Sequence, residues 1–166
     1  MIFDTHAHYD DEAFDADREA LLASMPEHGV GLILDPGCDL ESSRRAVELA
    51  RTYPRVYAAV GWHPENCAPY TEDSLDALRA WAREPKVVAI GEIGLDYYWE
   101  QTPPRELQQR VLRDQLALAQ EPDLPVIVHD REAHADSLAI VQEFPAVRGV
   151  FPVSYTHLRA HETRHD

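Results

Sequence analysis

Two histidines stand two residues apart in the run Asp4-Thr5-His6-Ala7-His8, directly after the apolar pair Ile2-Phe3. If Met1 to Asp4 is a strand, successive side chains point to opposite faces, and His6 and His8 project the same way from its end. Two imidazoles on one side, just beyond a hydrogen-bonded ladder, can grip a divalent metal. The plainer alternative is a pair of surface histidines near the start of the chain. Other residues of ligand type recur at comparable places: His63 in Gly61-Trp62-His63-Pro64, Glu92 in Gly91-Glu92-Ile93-Gly94 and His129 after Val126-Ile127-Val128. That recurrence favours a shared metal site.

The elements that must position these residues alternate along the chain. Apolar runs predict strands at Met1 to Asp4, Val30 to Leu34, Val56 to Val60, Val87 to Ile90, Leu124 to Val128 and Val147 to Phe151. Between them, helical spacing of apolar residues predicts helices from Asp15 to Glu27, Asp39 to Tyr53 with Asp39 as cap, Thr71 to Glu84, and Ala133 to Phe144. The longest helix is predicted to open at Thr102-Pro103, with the threonine as cap and proline at the first position. The strands are runs of Val, Ile, Leu and Ala without polar alternation, as in a parallel sheet buried on both faces. Strands alternating with helices point to an α/β fold with right-handed crossovers. His6, His8, His63, Glu92 and His129 all follow the ends of these predicted strands, where a β/α barrel builds its active site.

Composition narrows the partners. The net charge is −15 over 166 residues, and Lys86 is the only lysine. Such a chain has no general attraction for phosphate backbones. Any nucleic acid must be met at a local site, with bound metal offsetting the carboxylates. Cys38 and Cys67 lie outside any CxxC pattern and read as free thiols of a reducing cytoplasm. Met1 leads straight into a strand, so a cleavable signal is not expected. No apolar run approaches the ~20 residues of a membrane helix, so no membrane partner is expected.

Three segments together resemble the TatD-type metal-dependent deoxyribonucleases, within the amidohydrolase superfamily of barrels. They are Phe3-Asp4-Thr5-His6-Ala7-His8, Gly91-Glu92-Ile93-Gly94-Leu95-Asp96-Tyr97 and Val126-Ile127-Val128-His129-Asp130-Arg131, with Gly61-Trp62-His63-Pro64 as a weaker fourth. The resemblance covers about residues 1 to 151. It implies a TIM-type (β/α)8 barrel, incomplete here with about six of its eight units. It also implies a DNA-cleaving hydrolase with two divalent ions (Mg, Mn or Zn). His6 and His8 would bind one, His129 the other, and Glu92, the catalytic carboxylate, would bridge both. Two close cations can polarise a phosphoryl oxygen, generate hydroxide at neutral pH and stabilise the leaving oxygen. His63 and Arg131 would meet the substrate.

Each residue has another reading. Glu92 could cap a turn, His129 could hydrogen-bond within a strand end, His63 could pack beside Trp62, Asp96 could orient a ligand or serve a turn, and Arg131 could pair with Asp130. A related ester or amide hydrolase, or a non-catalytic metal-binding fragment, are the competing functions. The resemblance also has an end. After Phe151 the family continues with a histidine in a Phe-His-Cys-Phe-Ser-Gly-like run, and later an aspartate; here Pro152-Val153-Ser154-Tyr155 follows. Residues 152 to 166 read as a foreign tail without a fixed place in the fold, and His157, His161 and His165 within it as a coincidental stack. A truncated and therefore inactive hydrolase is the expectation.

Overall fold

The computed structural model describes residues 1–151; the expectations for 152–166 lie outside the described residues. Six strands form one parallel sheet in chain order. They are β1 (Ile2–Asp4), β2 (Val30–Pro36), β3 (Val56–Val60), β4 (Val87–Asp96), β5 (Val126–Arg131) and β6 (Gly149–Val150). The helices that connect them are α1 (Arg18–Ser24), α2 (Leu40–Thr52), α3 (Glu72–Trp81), α4 (Arg105–Gln120) and α5 (His134–Gln142). This is the repeating β/α order of a barrel wall: five β/α units and a sixth strand among the described residues. Among the described residues, no helix is long and apolar enough to cross a membrane.

The uninterrupted apolar strands follow from burial on two faces. On one face Ala58, Val60, Val87, Ile93 and Val128 pack with Ala46 and Val47 of α2, Leu78 of α3, Leu112 and Leu116 of α4 and Ile140 of α5. On the other, Leu34, Ala59, Ala89 and Ile127 form a separate cluster that no helix residue enters. That second face is the barrel interior. At the sheet margins Ile2 and Phe3 on β1, and Val150 and Phe151 at β6, remain exposed.

Local signals decide the helix starts. Asp39 accepts the Ser42 N–H at 2.8 Å, and Thr71 does the same for Ser74 at 3.3 Å, each closing a capping box. The expected cap at Thr102 is not formed: its hydroxyl turns back to the Trp99 carbonyl, and α4 starts at Arg105 after Pro104. The long first helix is also interrupted. Pro26 lacks an N–H, so α1 ends at Ser24 and a short 3₁₀ turn, Met25–His28, carries the chain to Gly29.

Two strands run further than expected. β4 does not stop at Ile90; it continues to Asp96 through an irregularity in which Ile90 to Ile93 spans only Val126 to Val128 on β5. One extra residue on β4 bends the strand and re-aims the side chains beside it. β5 starts at Val126, because Pro125 cannot donate to the ladder, and runs to Arg131. Glu92 and His129 therefore lie within the last turns of the ladder rather than beyond it.

Candidate metal centre

All the ligand-type residues gather at the C-terminal edge of the sheet, each placed by its own strand. Beyond β1 the chain bends: the His6 N–H turns back to Asp4 Oδ1 at 3.2 Å, and the Ala7 N–H reaches the Leu34 carbonyl at 3.1 Å. This keeps His6 and His8 alongside β2, with ring centroids 5.1 Å apart. Glu92 is fixed through its backbone, whose N–H donates to the Gly37 carbonyl at 2.8 Å.

The Glu92 carboxylate divides between two sides. Its Oε2 is 3.2 Å from His6 Nε2, and its Oε1 is 3.4 Å from His129 Nδ1. Ligand atoms of His6, His8 and Glu92 lie within 4.8 Å of one another, and so do those of His63, Glu92 and His129. Glu92 belongs to both groups. His129 is held from its far side, where Nε2 meets Asp96 Oδ2 at 2.9 Å. Asp96 anchors the ring at Nε2 and thereby sets Nδ1 towards Glu92. Asp96 fulfils both roles open to it in the sequence, since its Oδ1 also accepts the Tyr98 N–H at 2.9 Å.

Burial opposes charge here and the pairing overcomes it. Desolvation pushes the Glu92 carboxyl up, but hydrogen bonds from His129 and His6 hold it well below the usual carboxylate range. Desolvation likewise pulls His129 down, and its bonds to Glu92 and Asp96 carry it above the ordinary imidazole value. His63 has no such partner. Burial, then the neighbouring His129, lowers it to about 4. Its ring lies 4.3 Å from that of His129, and its Nδ1 accepts the Glu65 N–H at 3.3 Å. His63 thus sits beside Glu92 and His129 and stays neutral, the form that can bind metal.

The His63 shift gives a stability signature. Between about pH 6.5 and 4 the unfolded chain takes up the proton that folded His63 refuses, so stability falls as pH drops through that window. In chelator, denaturant melts at pH 7 and pH 4.5 should show His63→Gln losing about 1–3 kcal/mol less than wild type across this interval. Equal losses in both proteins would show that His63 is protonated as easily as an exposed imidazole.

Arg131 does not pair with Asp130, which instead accepts from Ser137 at 3.1 Å and meets His134 at 2.7 Å. The Arg131 guanidinium lies over the Tyr98 ring at 3.9 Å and the Trp99 ring at 5.0 Å. Both rings are about half exposed. One further cluster, His8, Asp10 and Asp35, has its ligand atoms within 4.8 Å of one another. No motif singles out Asp35 in the sequence. Its signal was a carboxylate ending an apolar strand, in the same position as the other ligand candidates.

The donor set fits divalent ions. It offers imidazoles flanking a shared carboxylate, and His6 Nδ1 is buried with no hydrogen-bond partner among the described residues. Residues 3–158 match the family described as TatD-related DNase. The chain belongs to that family. It is 41% identical over 143 residues to the uncharacterized metal-dependent hydrolase YabD of Bacillus subtilis, covering 86% of this chain and 56% of YabD. It is 39% identical over 140 residues to the 3'-5' ssDNA/RNA exonuclease TatD of Cronobacter turicensis, covering 84% of this chain and 53% of the relative. The crystal structure of the TatD homologue YjjV from Escherichia coli superposes with a TM-score of 0.84 at 38% identity, over 93% of this chain and 61% of YjjV. The chain spans about half the length of the curated relatives it matches. The family, the likeness to YjjV and the parallel β/α order together give the chain a partial TIM-barrel fold, with the His/Glu clusters at the C-terminal edge of its sheet.

Proposed function

We propose that residues 1–151 are the N-terminal part of a two-metal phosphodiesterase that cleaves single-stranded DNA. The observation that carries this reading is the division of one buried carboxylate, Glu92, between two separate imidazole groups. His6 and His8 would hold one cation and His63 and His129 the other, with Glu92 as the ligand common to both. Bound there, the pair supplies Lewis acidity and a nucleophilic oxygen at neutral pH. The protein's own part is to hold its imidazoles aimed at the site, as Asp96 does for His129. Phosphate approaches a chain of net charge −15 only where the centre and Arg131 offset the carboxylates. The relative named an ssDNA/RNA exonuclease supports a nucleic-acid substrate.

The Tyr98–Trp99 pair with Arg131 forms a platform suited to an unstacked base, with the guanidinium available to phosphate. Trp99→Ala should raise the Kd for a single-stranded oligonucleotide about 5- to 100-fold, as stacking of one base contributes about 1–3 kcal/mol. It should leave binding of a free mononucleotide phosphate nearly unchanged. Fluorescence anisotropy measures both, and equal losses would remove the platform from the account.

The test of the function is digestion of an end-labelled single strand by a longer chain that completes the barrel beyond residue 151, freed of metal with chelator. It should be inert until Mg²⁺ or Mn²⁺ is restored. Metal-dependent turnover of simple esters or amides, with the strand left intact, would transfer the same site to a different substrate class.

A further inference from the structure

Beside the Glu92 centre lies a cluster of which the two-cation reading uses only His8. Asp35, at the end of β2, is fully buried, and neither carboxylate oxygen has a hydrogen-bond partner among the described residues. Asp10, itself 7% exposed, comes from the segment after β1. His8 Nδ1 is 3.8 Å from Asp10 Oδ1, and one ligand atom from each of the three residues falls within 4.8 Å of the others. The chain's nearby cations do not satisfy these carboxylates. Arg18 spends its donors on the carbonyls of Tyr9, Asp10 and Asp11 and on the Asp15 carboxylate. Arg45 reaches only the Asp10 carbonyl, at 3.4 Å, besides Glu12 and Glu41. A buried carboxylate left this way needs either a proton or a bound cation.

We propose that His8, Asp10 and Asp35 form a third divalent-cation site, distinct from the Glu92 centre. Two carboxylates and one imidazole suit an oxygen-preferring ion, Mn²⁺ or Mg²⁺, whereas an imidazole-rich centre suits Zn²⁺ equally well. His8 stands between the two clusters and belongs to each. A neutral imidazole has one lone pair, so His8 serves one cation at a time and the third ion competes for it with the ion on the His6 side. Neither Asp10 nor Asp35 takes part in the Glu92 groups, so the site does not require that centre to hold two ions.

Mn²⁺ titration of metal-free protein, followed by the loss of the free-ion electron paramagnetic resonance signal, separates the possibilities. Wild type should bind more Mn²⁺ per chain than Glu92→Gln. Glu92→Gln should still bind one Mn²⁺, and adding Asp35→Asn should weaken that ion at least ten-fold. Asp10→Asn in the Glu92→Gln background should do the same, and it decides the matter if the buried Asp35 variant does not fold. Retention of the ion by a folded double variant would overturn the proposal. So would absence of any Mn²⁺ in Glu92→Gln, because Asp35 would then hold a proton instead. Equal binding by wild type and Glu92→Gln would count against the Glu92 centre alone.

Discussion

In a chain that completes the barrel, Glu92→Ala should reduce DNA cleavage by at least about 10³-fold, a loss on the order of 4 kcal/mol of transition-state stabilisation. It should also lower metal content. The size follows from position. Glu92 is the one residue common to both imidazole groups, so its removal takes a ligand from each and the only carboxylate from both. His6 and His129 lose the oxygens that face them at 3.2 and 3.4 Å, and their bond to charge disappears with them. The histidines themselves survive, which preserves residual metal affinity and separates chemistry from folding. Rates measured at saturating Mn²⁺, with circular dichroism as a folding control, check this. Activity within ten-fold of wild type would mean that Glu92 is a structural carboxylate.

Gly94→Ala should have the largest effect on stability, roughly 3 kcal/mol or more, with loss of the centre as its consequence. Gly94 lies directly opposite His129 in the β4–β5 register. Its φ of +146° belongs to a region that side chains rarely enter, and a Cβ there would fall 1.9 Å from the His129 carbonyl oxygen. The obstacle is backbone, so no rotamer change relieves it. Glu92 and Asp96, two residues to either side on the same face, grip the His129 ring between them. Separating the strands at Gly94 therefore releases His129 as well. Thermal melts of the metal-free protein should show a drop of tens of degrees or failure to fold; a shift of only a few degrees would mean the two strands can part at little cost.

The sequence exposes most of this arrangement because parallel strands buried on both faces write themselves as plain apolar runs. The same runs conceal where a strand ends. β4 appeared to stop at Ile90, since Gly91 and Glu92 look like a turn; the irregular register that carries the ladder on to Asp96 depends on β5, far along the chain. His6, His8, Glu92 and His129 were legible through motifs of recognisable spacing. Asp10 and Asp35 were not, because each is an ordinary acidic residue in sequence and becomes unusual only through burial without a counter-charge. Nothing local in the sequence shows that β3 delivers His63 against His129. Thr102 failed as a cap for a related reason: two prolines follow it, and the helix waits until Arg105.

The central claim is that Glu92 joins two cation sites through its two oxygens. Anomalous diffraction from crystals of the Mn²⁺-loaded protein tests it most directly. Two peaks should flank Glu92, one on the His6–His8 side and one on the His63–His129 side, each about 2.0–2.2 Å from a different Glu92 oxygen. A single peak touching only one oxygen, or Glu92 left hydrogen-bonded between His6 and His129 with no ion beside it, would contradict the account.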